Sequence, residues 1–260
     1  MKRLFFIVFL AVVMCIPCEI NAQETNFTVV LDAGHGGKDP GTVGSSPKSR
    51  EKDVTLAIAL EIGRLLQENN KDIKTVYTRQ TDVFIELGRR AEIANKAKAN
   101  LFVSIHVNAI PKDAQATRKP VGVQSYTLSL KTVATNLAVE KRENSVIALE
   151  GAAAQKYEYH PTPESDIMFE LMQDHDMKQS VVFAKMAQDE MIGTGGRKDL
   201  GVRQANLAVL RLTYMPSVLL EVGFMSTPEE ETFLMSDAGR KLLAKSIYNA
   251  IVEYAKSHNE

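Results

Sequence analysis

The sequence predicts an α/β fold: a single domain with a central β-sheet of about six strands flanked by helices. Short apolar runs, typical of buried strands, alternate along the chain with longer segments whose apolar residues recur at helical spacing. The composition is that of one well-filled globular domain, with 45% hydrophobic and 24% charged residues over 260 positions. No repeat or long low-complexity linker divides the chain, which indicates one domain with one insertion.

The predicted strands are apolar runs bounded by glycine, proline or polar residues. They are FTVVLDA (27–33), DIKTVYTR (72–79), NLFVSIHVNA (100–109), VGVQSYTLSL (121–130), LAVLR (207–211) and PSVLLEVGF (216–224). The stretch TGGRKDLG (194–201) predicts a loop, because its glycines interrupt any regular pattern.

The segments between these strands show helical periodicity. In the first of them, Val54 and Ile58 fall on one apolar stripe. The predicted helices span residues 51–68, 85–99, 131–142, 177–192, 228–235 and 237–256. Residues 143–176 are rich in charges and hold Pro161 and Pro163, so they predict an irregular insertion into the α/β pattern.

The first 22 residues predict a secretory signal peptide. Lys2 and Arg3 precede the apolar run LFFIVFLAVVMCI, and Asn21-Ala22-Gln23 is a suitable cleavage point. The apolar run is short for a membrane span, although an uncleaved anchor and a lipoprotein signal are the alternatives. We therefore expect residues 23–260 to form an exported protein of the periplasm or cell envelope, with no membrane span after cleavage.

Cysteine and charge content narrow the chemistry. Cys15 and Cys18 both lie inside the predicted signal peptide, so cleavage after Ala22 leaves no cysteine. The cleaved chain would have neither disulfides nor thiol chemistry, and histidine, aspartate or glutamate would have to hold any metal. The formal net charge of −1 gives no sign of a nucleic-acid partner, which would call for a strong basic excess.

Three predicted strands lead into a polar residue. The first is followed by His35, while the third and the last contain His106 and Glu221. A lone histidine at a strand end is more often a hydrogen-bonded structural residue. A carboxylate inside an apolar run is harder to explain structurally, because burying an unpaired charge is costly. Ligands bind at the carboxyl ends of strands in open α/β sheets, so the three together favour a shared site.

Two histidines without cysteines indicate a metal held by imidazole and carboxylate groups. A catalytic zinc takes three protein ligands and keeps one position open. Glu51 is the candidate third ligand, because it begins the first predicted helix and the loop after His35 leads directly to it. A carboxylate in the first helical turn is also common simply because it stabilises the helix dipole, and that alternative stays open.

Six motifs occur in order along almost the whole chain after residue 26. They are LDAGHGGKDPGTVG (31–44), EKDVTLAIAL (51–60), YTRQTD (77–82), RAEIAN (90–95), LFVSIHVNA (101–109) and PSVLLEVGFMSTPEEE (216–231). In this order they resemble the motifs of the zinc-dependent N-acetylmuramoyl-L-alanine amidases of the amidase type 3 family, in the group of the cell-division amidases.

The resemblance implies one zinc ion per chain, held by His35, Glu51 and His106, with Glu221 as the catalytic glutamate. It implies hydrolysis of the amide bond between the muramoyl lactyl group and the L-alanine of the stem peptide in peptidoglycan, during cell-wall remodelling and daughter-cell separation. The alternatives are a metallo-carboxypeptidase or another zinc amidohydrolase, and a non-catalytic wall-binding module.

The resemblance also implies a mixed sheet and a helical insertion over the active-site cleft. In the cell-division amidases, a glutamate from such an insertion occupies the open position of the zinc. By analogy, Glu150, or as second choice Glu143, is the plug that an activator protein would move. The alternative is that residues 143–176 only shape the substrate groove. Asp32 is a candidate hydrogen-bond acceptor for a metal ligand, or else a turn former.

Overall fold

The computed structural model describes residues 27–129, 136–151 and 163–258, and of residues 163–174 only the backbone. Six strands within these ranges form one sheet. They are β1 (Phe27–Ala33), β2 (Ile73–Tyr77), β3 (Leu101–Asn108), β4 (Val123–Leu128), β5 (Asp199–Ala205) and β6 (Ser217–Phe224).

The sheet is mixed, with the strand order β2-β1-β3-β6-β4-β5. The strands β2, β1, β3 and β6 are parallel neighbours, whereas β4 runs antiparallel to β6 and parallel to β5. The predicted α/β class with a mixed sheet of about six strands is therefore confirmed. The carboxyl ends of β1, β3 and β6 lie side by side at one edge of the sheet.

Helices cover both faces of the sheet. They are α1 (Glu51–Asn69), α2 (Leu87–Lys96), α3 (Leu137–Asn144), α4 (Pro163–Gly193), α5 (Ala208–Arg211), α6 (Pro228–Met235) and α7 (Asp237–His258). Apolar side chains of α1, α4 and α7 pack on one face and form the larger core cluster. A smaller cluster on the other face includes residues of α2, α3 and α5. A 3-10 helix, Ser145–Leu149, continues from α3.

Near residue 200 one predicted strand was wrong and one observed strand was missed, while residues 194–198 of the predicted loop are indeed irregular. LAVLR is not a strand, because Ala208–Arg211 form one turn of helix whose apolar side chains pack into the smaller core cluster. The fifth strand lies earlier and begins inside the predicted loop 194–201. As an edge strand it is mostly exposed and carries Gly201, so it lacks the apolar alternation that marks a strand. Short apolar runs do not distinguish a strand from a helical turn.

The predicted insertion is shorter than expected. Helix α4 begins at Pro163, so residues 163–176 are helical rather than irregular. Proline suits the first turn of a helix, where its missing N–H is not needed. The predicted helix 131–142 is observed from Leu137 onward. Residues 130–135 and 152–162 lie outside the described residues.

The predicted signal peptide, residues 1–22, also lies outside the described residues, so it stays a prediction. Within the described part of the chain, no helix combines the length and the apolar character that crossing a membrane requires.

A buried ion pair fixes the end of β1 that leads to the site. Asp32 is fully buried and accepts hydrogen bonds from Arg90 Nη1 at 2.7 Å, Ser104 Oγ at 2.6 Å and Thr78 Oγ1 at 2.6 Å. Burial alone would raise the pKa of Asp32, but the Arg90 guanidinium and the hydroxyl donors lower it below its usual value. One carboxylate thus joins β1 to α2, to β3 and to the segment after β2.

Asp32→Asn is expected to lower the free energy of unfolding by about 3 kcal/mol, because it leaves the buried Arg90 guanidinium without its counter-charge. Urea unfolding measures the change. The exposed Asp72→Asn is the control and should stay within about 0.5 kcal/mol of the parent.

The same comparison has a defined pH dependence. Because the pKa of Asp32 is lower in the folded chain, its contribution is complete above about pH 3.9, the ordinary value for the unfolded chain, and disappears as pH falls through the folded-state pKa. The stability difference between the parent and Asp32→Asn should therefore narrow below about pH 3.9. A constant difference at all pH values would contradict the ion-pair assignment.

Candidate active site

The three strand ends deliver their polar residues to one place. His106 and Glu221 are neighbours in the parallel register of β3 and β6. His35 follows β1 after Gly34, whose N–H donates to the carbonyl of Ile105 on β3. His35 adopts a left-handed backbone conformation, with φ of 62°. Arg90 stabilises this conformation, because its Nη2 donates to the His35 carbonyl at 2.8 Å.

Two glycines allow the backbone to pass close to the imidazole rings. A Cβ atom at Gly34 would lie 2.5 Å from Nε2 of His106, which is closer than packed atoms approach. Gly41 has φ of 64°, and a Cβ atom there would lie 2.6 Å from Cδ2 of His35. The glycine-rich loop therefore forms a close-fitting wall around the two histidines.

Four buried side chains converge at the end of the sheet. Glu51 Oε1 lies 3.0 Å from His35 Nε2 and 3.2 Å from His106 Nδ1. Glu143 Oε2 lies 2.7 Å from His106 Nδ1 and 3.5 Å from His35 Nε2. One ligand atom from each of the four residues lies within 4.8 Å of the others.

The donor atoms fit a metal ion. Among the described residues, His35 Nε2, His106 Nδ1 and Glu143 Oε2 are buried and form no hydrogen bond of acceptable geometry, although the last two atoms lie only 2.7 Å apart. Glu51 is held from outside the cluster, since Oε1 accepts from Val107 N at 2.8 Å and Oε2 from the Thr42 backbone. Imidazole nitrogens and carboxylate oxygens in this number are the ligands that zinc takes in proteins.

The charges of these four side chains also indicate a metal site. Burial alone would lower the pKa of His106, but the carboxylates of Glu143 and Glu51 raise it to about 9. The pKa of His35 is raised against its burial by Glu51 and Asp39. The two carboxylates thus require positive charge between them, and a divalent cation would provide it in place of imidazole protons.

Glu221 lies beside the cluster in a buried position. Its carboxylate is 1% exposed, and burial raises its pKa to about 8, although Arg142 acts in the opposite direction. Arg142 Nη2 donates to Glu221 Oε1 at 2.6 Å, and Arg142 Nε donates to Glu143 Oε1 at 2.7 Å. Sequence analysis missed Arg142, because nothing local distinguishes it from the other charged residues of its helix.

The structure brings together His35, Glu51 and His106, the three predicted zinc ligands. It does not bring Glu150 to them, so the preference for Glu150 over Glu143 was wrong. Glu150 Oε1 instead accepts a hydrogen bond from Leu87 N at the start of α2, at 2.7 Å.

The reason lies in the backbone between the two glutamates. Two glutamates seven residues apart share a face only if one α-helix contains both. Helix α3 ends at Asn144 and a 3-10 helix follows. The tighter winding of the 3-10 helix turns Glu150 away from the other metal-binding side chains.

Of the two candidate roles of Asp32, the structure supports neither: it contacts none of the predicted zinc ligands, and it lies inside β1 rather than in a turn. Its carboxylate is fully engaged by Arg90, Ser104 and Thr78. Asp39 has the role instead, because Asp39 Oδ2 lies 2.7 Å from His35 Nδ1. The available signal was its position four residues after His35 in the glycine-rich loop.

Comparison with known proteins identifies the family. The family model of N-acetylmuramoyl-L-alanine amidases matches residues 29–253. The chain belongs to this family. The N-acetylmuramoyl-L-alanine amidase AmiC of Escherichia coli O6:H1 is 35% identical over 236 residues, which cover 89% of this chain and 54% of AmiC. AmiA of Salmonella typhimurium is 33% identical over 228 residues, which cover 87% of this chain and 75% of AmiA. The chain thus spans about half the length of AmiC.

Solved structures of this amidase family show the same fold. The catalytic domain of CwlV, an amidase from Bacillus (Paenibacillus) polymyxa var. colistinus, superposes with a TM-score of 0.65 at 31% identity. The match covers 88% of this chain and 98% of that domain. An amidase from Clostridium difficile 630 gives a TM-score of 0.66 at 27% identity, covering 89% and 97% of the two chains.

Asp39→Asn is expected to weaken zinc binding about 10- to 100-fold, because the neutral amide no longer orients and polarises the His35 ring. Competition with a chromophoric chelator measures the zinc dissociation constant. The exposed Asp113→Asn is the matched control and should bind zinc like the parent. Unchanged affinity in Asp39→Asn would show that this contact does not support the metal site.

Proposed function

We propose that the protein is a zinc-dependent hydrolase of peptidoglycan. It cleaves the amide bond between the lactyl group of N-acetylmuramic acid and the L-alanine of the stem peptide. The observation that carries the proposal is the meeting of His35, Glu51 and His106 beside the buried carboxylate of Glu221. Membership of the amidase family supports this bond as the target.

The residues suit amide hydrolysis. Zinc held by the three ligands supplies Lewis-acid chemistry, polarising the scissile carbonyl and acidifying water. Glu221 accepts a proton from the attacking water and returns it to the leaving nitrogen. A carboxylate with its pKa raised to about 8 is suited to both transfers near neutral pH. The glycan keeps a carboxylate, and the stem peptide leaves with a free amino group.

The proposal includes a closed state of the enzyme. Glu143 lies among His35, Glu51 and His106, where its carboxylate would compete with water or substrate for a bound metal ion, and Arg142 pairs with Glu221. Both residues belong to the covering segment, which we define as residues 137–151. A partner that moves the covering segment would free both groups at once.

The contacts of the covering segment support a reversible closure. Its buried hydrophobic residues are Val139 and Val146. Burying one such side chain contributes about 1.5–3 kcal/mol, so lifting the segment costs several kcal/mol. A binding protein can supply a free energy of that size through its greater affinity for the open state. The proposal also includes export directed by residues 1–22, activation by a partner protein, and a role in daughter-cell separation.

Glu221→Gln is expected to keep its zinc and lose about 10²- to 10⁴-fold in turnover, because the amide cannot transfer the proton. His106→Ala should lose zinc and turnover together. Metal analysis and mass spectrometry of digested peptidoglycan measure the two properties, with the exposed Glu229→Gln as control. Loss of zinc in Glu221→Gln would overturn the assignment of roles.

The double variant Arg142→Ala/Glu143→Ala is expected to hydrolyse peptidoglycan severalfold faster than the parent without any activator, because both blocking groups are gone. The exposed pair Lys141→Ala/Glu253→Ala is the control. Release of soluble stem peptides from purified sacculi measures the rate. A folded, zinc-loaded double variant no faster than the parent would rule out autoinhibition by this pair.

A further inference from the structure

Arg142 and Glu143 place one positive and one negative group side by side in the site. The Glu143 carboxylate lies at the metal cluster, 2.7 Å from His106 Nδ1. The Arg142 guanidinium lies at Glu221, with Nη2 2.6 Å from Glu221 Oε1. The two side chains are joined by a hydrogen bond from Arg142 Nε to Glu143 Oε1.

The products of amide hydrolysis carry the same pair of charges. Water adds its oxygen to the acyl carbon, the C–N bond breaks, and both water protons end on the nitrogen. At neutral pH the acyl half is a carboxylate and the leaving half is an ammonium group. A carboxylate at the metal with a cationic N–H donor at the acid/base residue is therefore the charge pattern of an enzyme holding its own products.

We propose that the Arg142–Glu143 pair imitates the two cleaved halves of the substrate, and that the groups binding the Arg142 guanidinium form the leaving-amine subsite. These groups are Glu221 Oε1, Asn108 Oδ1 and the Ala109 carbonyl oxygen, with the last two accepting from Arg142 Nη1 at 2.8 and 2.9 Å. The inference rests on the proposed amidase function and adds Asn108 as a residue that contacts the substrate.

Asn108 is held in place for this role. It lies two positions after His106 on β3 and is 3% exposed. Its Nδ2 donates to Gln124 Oε1 at 3.1 Å, and the same oxygen accepts from Tyr126 Oη at 3.0 Å. These bonds turn Oδ1 of Asn108 toward Arg142. The subsite thus offers three oxygen acceptors in fixed positions, which match a positively charged N–H donor.

The position of the subsite also gives the direction of the stem peptide. Ala109 lies on the wall of a cavity of about 530 Å³, which is lined by residues 42–45, 109–112 and 225–226 together with Gln115, Pro228 and Glu231. The lining holds one basic side chain, Lys112, and one acidic side chain, Glu231, and Glu231 is engaged by Ser45. In the proposal, the stem peptide extends from Ala109 toward this cavity.

The test measures binding rather than turnover. The zinc-loaded variant Arg142→Ala/Glu143→Ala is titrated calorimetrically with the peptide L-Ala-γ-D-Glu-L-Lys and with propionyl-γ-D-Glu-L-Lys, which lacks only the amino group and has no amide at the scissile position. The free amine should bind at least tenfold more tightly than the propionyl peptide. Equal affinity, or no binding of the free-amine peptide, would overturn the subsite.

Two further substitutions in that background isolate Asn108. Asn108→Leu and Asn108→Asp both lose the donor to Gln124, but only the leucine loses the acceptor that faces the amine. Asn108→Leu should therefore weaken binding of the free-amine peptide at least tenfold, whereas Asn108→Asp should keep or tighten it. Equal losses in both variants would indicate a merely structural role. The exposed Asn69→Leu is the control and should bind like its parent.

A failure of the leaving-amine subsite can be distinguished from a failure of the proposed amidase function. If the wild-type protein releases no stem peptides from peptidoglycan under any condition, the amidase proposal fails. If it releases them, but the free-amine and propionyl peptides bind alike, only the leaving-amine subsite fails. Thermal unfolding and zinc affinity of each variant are measured alongside. The Asn108 variants should unfold at a lower temperature, because they lose a buried hydrogen bond, but they should stay folded at the assay temperature and bind zinc like the parent double variant.

Discussion

The carboxylate of Asp32 is fully buried, and the position of the metal-binding residues depends on the groups that balance its negative charge. Arg90 balances it and also donates to the carbonyls of Ala33 and His35. Arg79 donates to the carbonyls of Ala33 and Gly34 at 2.9 and 2.8 Å. The backbone that delivers His35 is thus held by two buried guanidinium groups. Asp32 pairs directly with Arg90, whereas the charge of Arg79 is offset in part by Asp32, Asp82 and Asp53 together. These hydrogen bonds hold the loop that carries His35 in one conformation, although the loop has no regular secondary structure.

Residues whose role depends on their own strand or helix could be predicted from the sequence. His106 and Glu221 stand in apolar strands, where local pattern reveals them, and Glu51 begins a strongly periodic helix. Arg142 could not be found in this way, because its partners Asn108, Ala109 and Glu221 lie in other parts of the fold. Asp39 lies four residues after His35 in the same loop, so its spacing was visible in the sequence, but only the folded loop shows that the two side chains meet. The confusion of Glu150 with Glu143 has a similar origin: the change from α-helix to 3-10 helix leaves no clear mark in the sequence.

The closed site contains buried charges of both signs. Glu51, Glu143 and Glu221 bring three buried carboxylates close together, and burial with mutual repulsion is the reason that the pKa of Glu221 rises. Arg142 offsets part of this repulsion from the same segment that contributes Glu143. In the opening that we propose, one charge of each sign would leave with the covering segment, and the net charge of the site would stay the same. Such an opening would avoid the large electrostatic penalty of removing a single buried charge.

The reversal of β4 relative to its neighbour has a consequence for how such a centre can be transplanted. Because β4 runs antiparallel to β6, its first residues lie at the edge where β1, β3 and β6 end, and Gln124 is paired with Glu221. The side chain that orients Asn108 therefore comes from the beginning of a strand. A designer who moved these residues onto an all-parallel sheet would reach this place with the last residues of a strand, and would have to build the support for the asparagine there anew.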